Sequence, residues 1–454
     1  ANALMALNRG AQLGGFAHNT GEGGISPYHL QGGDIIFQLG TAYFGCRNDK
    51  GEFDEKEFAV EATRDEVKMI EIKLSQGAKP SHGGILPAAK LTPEIAKVRK
   101  VQMGHDVVSP AAHSAFDSPI GLLQFIKKLR DLTGGKPIGF KLCIGRKDEF
   151  LGICKAMLET NILPDFITVD GAEGGTGAAP LEFTNHVGEP LEAGLIFAHN
   201  ALVGINLRDK IRIICSGKVA TGFDMVEKIA MGADMCNSAR GMMMAIGCVQ
   251  SKQCNANTCP TGVATQNKRL QAGLVVDEKK HRATSYHLNT MKSFMEIIGA
   301  MGLTNPSELK PHFLMRRIDD QCVKPFDEVY TYLEPGELLG QNIPPHFKKY
   351  WELEPWRTTS TGTCAWTAAL PTSSARRAMI DVFMFRVSDL GGGFAPAVAR
   401  WSVLGRIRLL QSAARSGVRQ ASVRRAETRH ALSLQLQGAR HDHGRRSEER
   451  RVGK

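Results

Sequence analysis

The stretch 237–266, NSARGMMMAIGCVQSKQCNANTCPTGVATQ, constrains the chain more than any other. Cys248, Cys254 and Cys259 fall within twelve residues at a spacing of C-x5-C-x4-C, and Pro260 follows the last of them. Closely spaced thiolates suit a metal centre, because one short loop presents several sulfurs to a common point. A structural zinc ion takes four protein ligands, and the next ordinary donor, His281, is far along the chain. A cluster satisfied by three thiolates fits the spacing better, and a Cys-Pro pair suits an iron–sulfur loop. The alternative is three reduced cysteines packed in a loop, since cysteine is often simply buried.

Just upstream, residues 211–219 (IRIICSGKV) read as an apolar strand ending in Ser216, Gly217 and Lys218. Residues 221–231 read as a helix with Phe223, Val226, Ile229 and Ala230 on one face. Residues 232–241 (GADMCNSARG) form a second short strand running into Arg240 and Gly241. Strand, glycine loop, helix, strand, glycine loop is the pattern of the last two units of a (β/α)8 barrel, whose loops commonly form a phosphate site. Gly217 and Gly241 let the backbone approach an anion closely. Ordinary βα turns favour glycine as well.

Together, SGKVATGFD, GADMCNSARG and C-x5-C-x4-CPTGVATQ resemble the FMN-binding synthase domain of glutamate synthases and the stand-alone glutamate synthase-related proteins, over residues 1 to about 351. The resemblance implies an α/β fold, a (β/α)8 TIM barrel binding FMN. It also implies a 3Fe-4S cluster held by Cys248, Cys254 and Cys259 on a loop after the last strand. It assigns FMN contacts to Gln76, Lys141, Asp170, Gly174, Gly175, Ser216, Gly217, Lys218, Arg240 and Gly241. In the family a strand with a Ser-Phe-Gly-type flavin contact precedes the first helix. Here the chain opens on that helix, 2–12, so the expectation is a barrel lacking its first strand and exposing two strand edges.

Residues 13–20 (LGGFAHNT) read as a short buried strand ending in the loop GEGG, which carries Glu22. Alone, Glu22 is a solvated loop glutamate; the resemblance puts it near the ammonia entry point, as a proton acceptor or ammonia-positioning carboxylate. Residues 34–40 read as a strand in a hairpin-like excursion with 42–46, and 69–77 as a barrel strand. The loop that follows, AKPSHGGILPAAKL, is a plausible anion clamp through Lys79, with Arg99 downstream. In glutamate synthases the matching loop supplies a lysine, a glutamine and an arginine to 2-oxoglutarate; Lys79 and Arg99 match, but Ile85 stands where the glutamine is expected. Two cations still suit a dicarboxylate or oxo acid. His105 and His113 read as structural or substrate-facing, because no third ligand lies at metal spacing. Residues 120–132 and 150–159 read as helices. Lys141 sits on an apolar strand, 137–145, where an ammonium is costly unless it meets an anion or a cofactor; it can also snorkel to solvent. The resemblance sets it beside the flavin, where its charge stabilises the reduced anion. Residues 166–177 form a strand ending in Asp170 and a glycine run, and 181–207 a long connection. Leu288, Met291, Phe294, Met295 and Ile298 share the core face of a helix over 285–302.

The composition, 42% hydrophobic, is that of a soluble globular protein. No run of about 18 apolar residues suggests a membrane span, and the start lacks a signal peptide's charged leader and apolar core. Ten cysteines without a secretion signal suggest the reducing cytoplasm. The net charge of +11 lies entirely after residue 357, where sixteen arginines and one lysine face six acidic residues; residues 1–357 hold forty of each sign. Arginine replaces lysine abruptly near Pro355, and the final RSEERRVGK reads like a translated sequencing adapter. Residues 352–454 are therefore expected to be a non-native or disordered tail, and nucleic acid is not the expected partner.

The resemblance implies that electrons enter through the cluster and reduce FMN. Ammonia then adds to the keto carbon of an oxo acid held by Lys79 and Arg99, and reduced FMN delivers hydride to the imine, giving L-glutamate. The expected partners are 2-oxoglutarate or a related oxo acid, free ammonia or a separate glutaminase subunit, and a ferredoxin or NAD(P)H-linked electron donor. Ile85 keeps open a same-fold enzyme for another amine or oxo acid, such as an N-methylglutamate synthase. The alternative of another class is an inactive fragment, or a protein binding nucleic acid through its basic tail.

Overall fold

The computed structural model describes residues 1–80, 82–174, 179–254 and 256–353, and the backbone of 382–386. The chain starts in α1 (Asn2–Gly14), whose spacing buries Ala3, Ala6, Leu7 and Ala11. Gly15 ends it at φ 69° with its N–H on Ala11 O, a left-handed cap that glycine takes without strain. β1 (Ala17–Asn19), β2 (Ile35–Leu39), α2 (Glu55–Ala62) and β3 (Val67–Lys73) follow. An excursion carries β4 (Ile85–Leu86), α3 (Pro93–Arg99) and β5 (Val107–Val108), with β4 and β5 paired antiparallel. Helix and strand then alternate through α4 (Pro119–Leu132), β6 (Ile138–Leu142), α5 (Lys147–Thr160) and β7 (Phe166–Asp170). The alternation continues in α6 (Leu191–Gly204), β8 (Arg212–Ser216), α7 (Gly222–Ala230), β9 (Met235–Asn237) and α8 (Ala239–Ala245). Beyond the cysteine loop lie α9 (Lys268–Ala272), α10 (Val276–Ala300), a hairpin of β10 (Met315–Arg317) and β11 (Val323–Pro325), α11 (Phe326–Val329), α12 (Pro345–Trp351) and β12 (Val382–Arg386).

Seven strands run parallel in the order β1, β2, β3, β6, β7, β8, β9. β12 closes the barrel between β9 and β1, antiparallel to both. The expected open strand edges are not found: β12 occupies the gap between β9 and β1. Two facing strand edges carry rows of N–H and C=O groups that any added strand satisfies. That strand comes from the range expected to be tail; the rest of the expectation for 352–454 falls, beyond Leu353, on residues outside those described.

Inside the barrel Ile36, Met69, Phe166 and Ile214 form an apolar layer, and a larger core lies between sheet and helices. Helix α4 starts on a Ser118 cap with Pro119 in its first turn, and Leu122, Leu123, Phe125, Ile126 and Leu129 are buried. Other expectations are corrected. Residues 42–46 are turns, and β2 pairs with parallel neighbours instead of a hairpin partner. The 181–207 connection contains α6. Phe223 is 52% exposed, because the Thr221–Asp224 capping box sets α7 in a phase that buries Met225, Val226 and Ile229. Helix α10 begins at Val276 and turns Ala283, His287, Thr290, Phe294 and Ile298 inward, leaving Leu288 and Met295 exposed. Small and polar residues on the packed face hid its true phase. Among the described residues no helix is long and apolar enough to cross a membrane.

Candidate active site

A cavity of about 170 Å³ opens where the loops after β1, β2 and β3 meet the start of α1 and the cysteine loop. This is the carboxyl end of the strands, where barrel sites lie. Glu22, Gln76, Lys79, Arg99 and Cys254 all line it, so the structure gathers five of the residues singled out in the sequence. It adds Lys73, Lys90 and Gln38, which the sequence reading missed. Lys73 ends β3; its Nζ lies 2.8 Å from Glu22 Oε2 and donates to Gln76 Oε1 at 2.6 Å. A signal for it was present. KLSQG (73–77) repeats as KLCIG (141–145), and Lys73 and Lys141 are register partners on β3 and β6.

Lys79 is buried, and its Nζ donates to Gly83 O at 3.3 Å. Arg99, 2% exposed, lays its guanidinium 4.7 Å from the centre of the Phe44 ring. Ile85 pairs with Val108 and does not line the cavity. His113 is structural. It bonds Tyr43 Oη and Lys73 O, both at 3.0 Å, and burial pushes it down to about 4, so it stays neutral. His105 is exposed.

Deeper in the barrel, Glu71 is 1% exposed and accepts from Asn19 Nδ2 (2.9 Å), Gln38 Nε2 (2.6 Å) and Thr168 Oγ1 (2.6 Å). Lys141 lies 3.3 Å from Asp170 Oδ2. Burial opposes its charge, but Asp170 and then Glu71 outweigh burial and hold its pKa above the ordinary lysine range. Asp170 also accepts from Gly77 N at 2.9 Å. Gly77 must be glycine, because a Cβ would stand 1.5 Å from Gly171 O. Gly174 leaves room for the same carboxylate, since a Cβ there would meet Asp170 Oδ1 at 2.6 Å. Neither Lys141 nor Asp170 lines the cavity, and Gly175 lies outside the described residues.

Ser216, Gly217 and Lys218 leave β8 in a turn with φ 150° at Gly217 and 56° at Lys218. Arg240 and Gly241 open α8 across from them. The lack of a side chain at Gly241 makes room for Tyr286, whose hydroxyl would stand 2.0 Å from a Cβ and donates to Ala220 O at 2.6 Å. Ser238 donates to Val219 O at 2.7 Å, which ties the two loops together. This set is separate from the cavity lining.

In the cysteine loop, Gln250, Lys252 and Asn257 take φ of 53°, 56° and 64°. Three non-glycine residues in the left-handed region within eight positions is backbone strain, of the kind held where a loop has a shape to keep. Thr265 donates to Asn257 O at 2.7 Å, and Gln266 N donates to Asn257 Oδ1 at 2.6 Å. Burial raises Cys254, and the Cys248 and Cys259 thiols add to the rise, so it senses both. At Cys259, burial is outweighed by N–H groups of Ala264, Thr261 and Val263 and the Thr261 hydroxyl, which hold the thiol below its usual range. Among the described residues no three His, Cys, Asp or Glu converge as they would on a single ion. A cluster of several irons takes one thiolate per iron, so its cysteines stand further apart than ligands of one ion. The Cys254 thiol, which feels both Cys248 and Cys259, and the N–H donors aimed at the Cys259 sulfur suit thiolate ligands of such a cluster. For a flavin, the Lys218 and Arg240 cations with the Gly217 turn fit a phosphate.

The chain is 41% identical over 324 residues to the glutamate synthase large subunit-like protein YerD of Bacillus subtilis (strain 168), covering 71% of this chain and 61% of that one. It is 31% identical over 311 residues to the archaeal glutamate synthase (NADPH) of Methanocaldococcus jannaschii, covering 68% and 58%. It thus spans about three fifths of these relatives' length. Among solved structures, flavocytochrome b2 with sulfite bound matches at a TM-score of 0.40 and 16% identity, over 73% of this chain and 70% of that one; so slight a likeness does not bear on the site. The model of the conserved region in glutamate synthase matches residues 1–304, and the chain belongs to the glutamate synthase family.

Proposed function

We propose that the chain is the FMN- and 3Fe-4S-dependent synthase part of a glutamate synthase-like oxidoreductase, which converts 2-oxoglutarate or a related oxo acid to L-glutamate. One observation carries the substrate class. Four cations, Lys73, Lys79, Lys90 and Arg99, line a cavity in which Glu22 is the one carboxylate among the described residues. That balance attracts a dianion and disfavours a cationic ligand. Lys79 and Arg99 hold the carboxylates. Glu22, fixed by Lys73, takes the proton that ammonium must lose before nitrogen attacks the keto carbon. Water leaves, and the resulting imine gains two electrons and two protons to become the amino acid. When bound, FMN supplies hydride and the cluster supplies single electrons. Ser216, Gly217, Lys218, Arg240 and Gly241 are the phosphate residues of this reading. Gln76, Lys141, Asp170, Gly174 and Gly175 are its ring-side residues, and Cys248, Cys254 and Cys259 its cluster ligands.

Ammonia comes free or from a separate glutaminase, and electrons from ferredoxin or an NAD(P)H-linked subunit, in the cytoplasm. Ile85 stands where the family's glutamine is expected and lies outside the cavity lining, which favours a second reading, a same-fold enzyme such as an N-methylglutamate synthase.

The test is an anaerobic absorbance spectrum of the full chain with iron and sulfide analysis. Flavin bands and about three irons per chain, the irons lost in Cys254→Ala, support the reading. A folded, colourless and metal-free protein overturns it.

A further inference from the structure

Glu71 is buried inside the barrel, yet its two oxygens organise one wall of the cavity. Oε1 accepts from two amides, Asn19 Nδ2 at 2.9 Å and Gln38 Nε2 at 2.6 Å, and Oε2 accepts from Thr168 Oγ1 at 2.6 Å. A carboxylate only accepts, so each amide turns its NH2 end toward Glu71 and its oxygen away from it. For Asn19 the consequence is a second bond: its Oδ1 accepts from Gly21 N at 2.9 Å, which fixes the loop that carries Glu22. Gln38 is 4% exposed and lines the cavity, and with its NH2 end on Glu71 it presents the amide oxygen there. Its backbone is tied to the same loop. Gln38 N donates to Thr20 Oγ1 at 3.1 Å, and Thr20 Oγ1 donates to Gly21 O at 2.9 Å. At Gly40, two positions beyond Gln38, a Cβ would stand 3.3 Å from Glu22 Oε2, so the Glu22 carboxylate lies over the end of β2.

We infer that Gln38 is an ammonia-binding residue, whose amide oxygen takes an N–H of the nucleophile that Glu22 has deprotonated, and that Glu71 is the positioning residue that keeps this oxygen turned to the cavity. This rests on the synthase reading given above. Lys73, Lys79, Lys90 and Arg99 only donate, so they suit the oxygens of an oxo acid and not an N–H. The Gln38 oxygen and the Glu22 carboxylate are acceptors that meet at the end of β2. A neutral amide oxygen holds ammonia through one N–H and leaves the nitrogen lone pair free for the keto carbon.

The experiment is steady-state turnover of the full chain with reduced methyl viologen as electron donor, varying ammonium and 2-oxoglutarate separately at constant pH. The proteins are wild type, Gln38→Met, Glu71→Met and Glu71→Gln. Gln38→Met keeps the length of the side chain and loses the oxygen. Its KM for ammonium should rise about fivefold, the worth of one hydrogen bond, with the KM for 2-oxoglutarate unchanged. Glu71→Met leaves both amides unfixed and should raise the ammonium KM in the same way. Glu71→Gln keeps one acceptor oxygen for the two amides and should restore most of what Glu71→Met loses. An unchanged ammonium KM in Gln38→Met, or an equal rise in both constants, overturns the inference and leaves the synthase reading standing. A wild type without ammonia-dependent turnover overturns both. A second readout needs no turnover. Amide hydrogen exchange over residues 19–23 should be faster in Glu71→Met than in wild type and Glu71→Gln, and unchanged exchange overturns the orienting role of Glu71.

Discussion

Replacing Lys141 with methionine keeps most of the stem and removes one buried ammonium. Lys141 is 5% exposed, with Asp170 Oδ2 at 3.3 Å and Glu71 close enough to raise its pKa. Without it, two buried carboxylates remain, among the described residues, with uncharged donors: Gly77 N for Asp170, and Asn19, Gln38 and Thr168 for Glu71. Removing one partner of a buried pair costs about 3–5 kcal/mol. Asp170→Asn strips Lys141 of its near partner, though Glu71 still compensates part of the charge, so its cost falls toward the lower end. The double variant removes both charges and should cost about 1–3 kcal/mol less than the sum of the singles. Urea unfolding of the four proteins at pH 7 gives this coupling. Additive losses, within about 0.5 kcal/mol, would refute the assignment of Asp170 as the partner of Lys141. Because the folded pKa is raised, the contribution is complete below the unfolded lysine value of about 10.4 and lost as pH rises through the folded value. The deficit of Lys141→Met should therefore persist across neutral pH and shrink only in strong alkali.

Burial depresses His113 to about 4, His199 to about 3 and His287 to about 4. The unfolded chain binds these protons first, so stability should fall as pH drops from about 6.5 toward 4, by about 3 kcal/mol for His113 alone; denaturant midpoints across that range check it, and a flat profile refutes it. Arg99→Lys keeps the charge but loses the fork and the stack on Phe44. Calorimetry should find 2-oxoglutarate bound roughly tenfold more weakly, and equal affinity would remove Arg99 from the clamp. Gly40→Ala brings a Cβ to 2.7 Å from Glu22 Cβ and must displace it from Lys73. Ammonia-dependent turnover should fall by about 100-fold with oxo-acid affinity unchanged; wild-type turnover would show that the position of Glu22 does not matter.

The repeating units of the barrel were legible because their signals are local. The apolar runs at 211–219 and 137–145 and the glycine turns after them needed only a few residues to be read, and α4 carried its own cap and stripe. The misread elements are those fixed by distant partners. The phase of α10 is set by packing on α1 and α7, which places Ala283 and Thr290 inward against the hydrophobic pattern. Closure by β12 depends on edges that exist only after the other strands assemble. At the site, Glu22 and Lys79 stand in recognisable loops, and Arg99 ends the short helix α3. Lys73 and Glu71 looked like the polar half of an alternating strand, MIEIKL, and nothing local says which side of the sheet is the barrel interior.

That ambiguity explains how the charges are divided. In β3 the alternation that sends Glu71 and Lys73 to the same side of the sheet also separates them along the strand. Glu71 lies low, among Asn19, Gln38 and Thr168, where no solvent reaches it. Lys73 lies one step nearer the carboxyl end, at the cavity, with Glu22 and Gln76. Across β6 and β7, Lys141 stands in register with Lys73 and pairs with Asp170, whose carboxylate also accepts from Gly77 N in the loop after β3. In the barrel interior one ammonium, Lys141, faces two carboxylates, Asp170 and Glu71, while the cavity lining holds more cations than anions among the described residues. A lining with Lys73, Lys79, Lys90 and Arg99 beside Glu22 attracts dianions, so a dicarboxylate should stabilise the fold against unfolding more than a monocarboxylate of the same length.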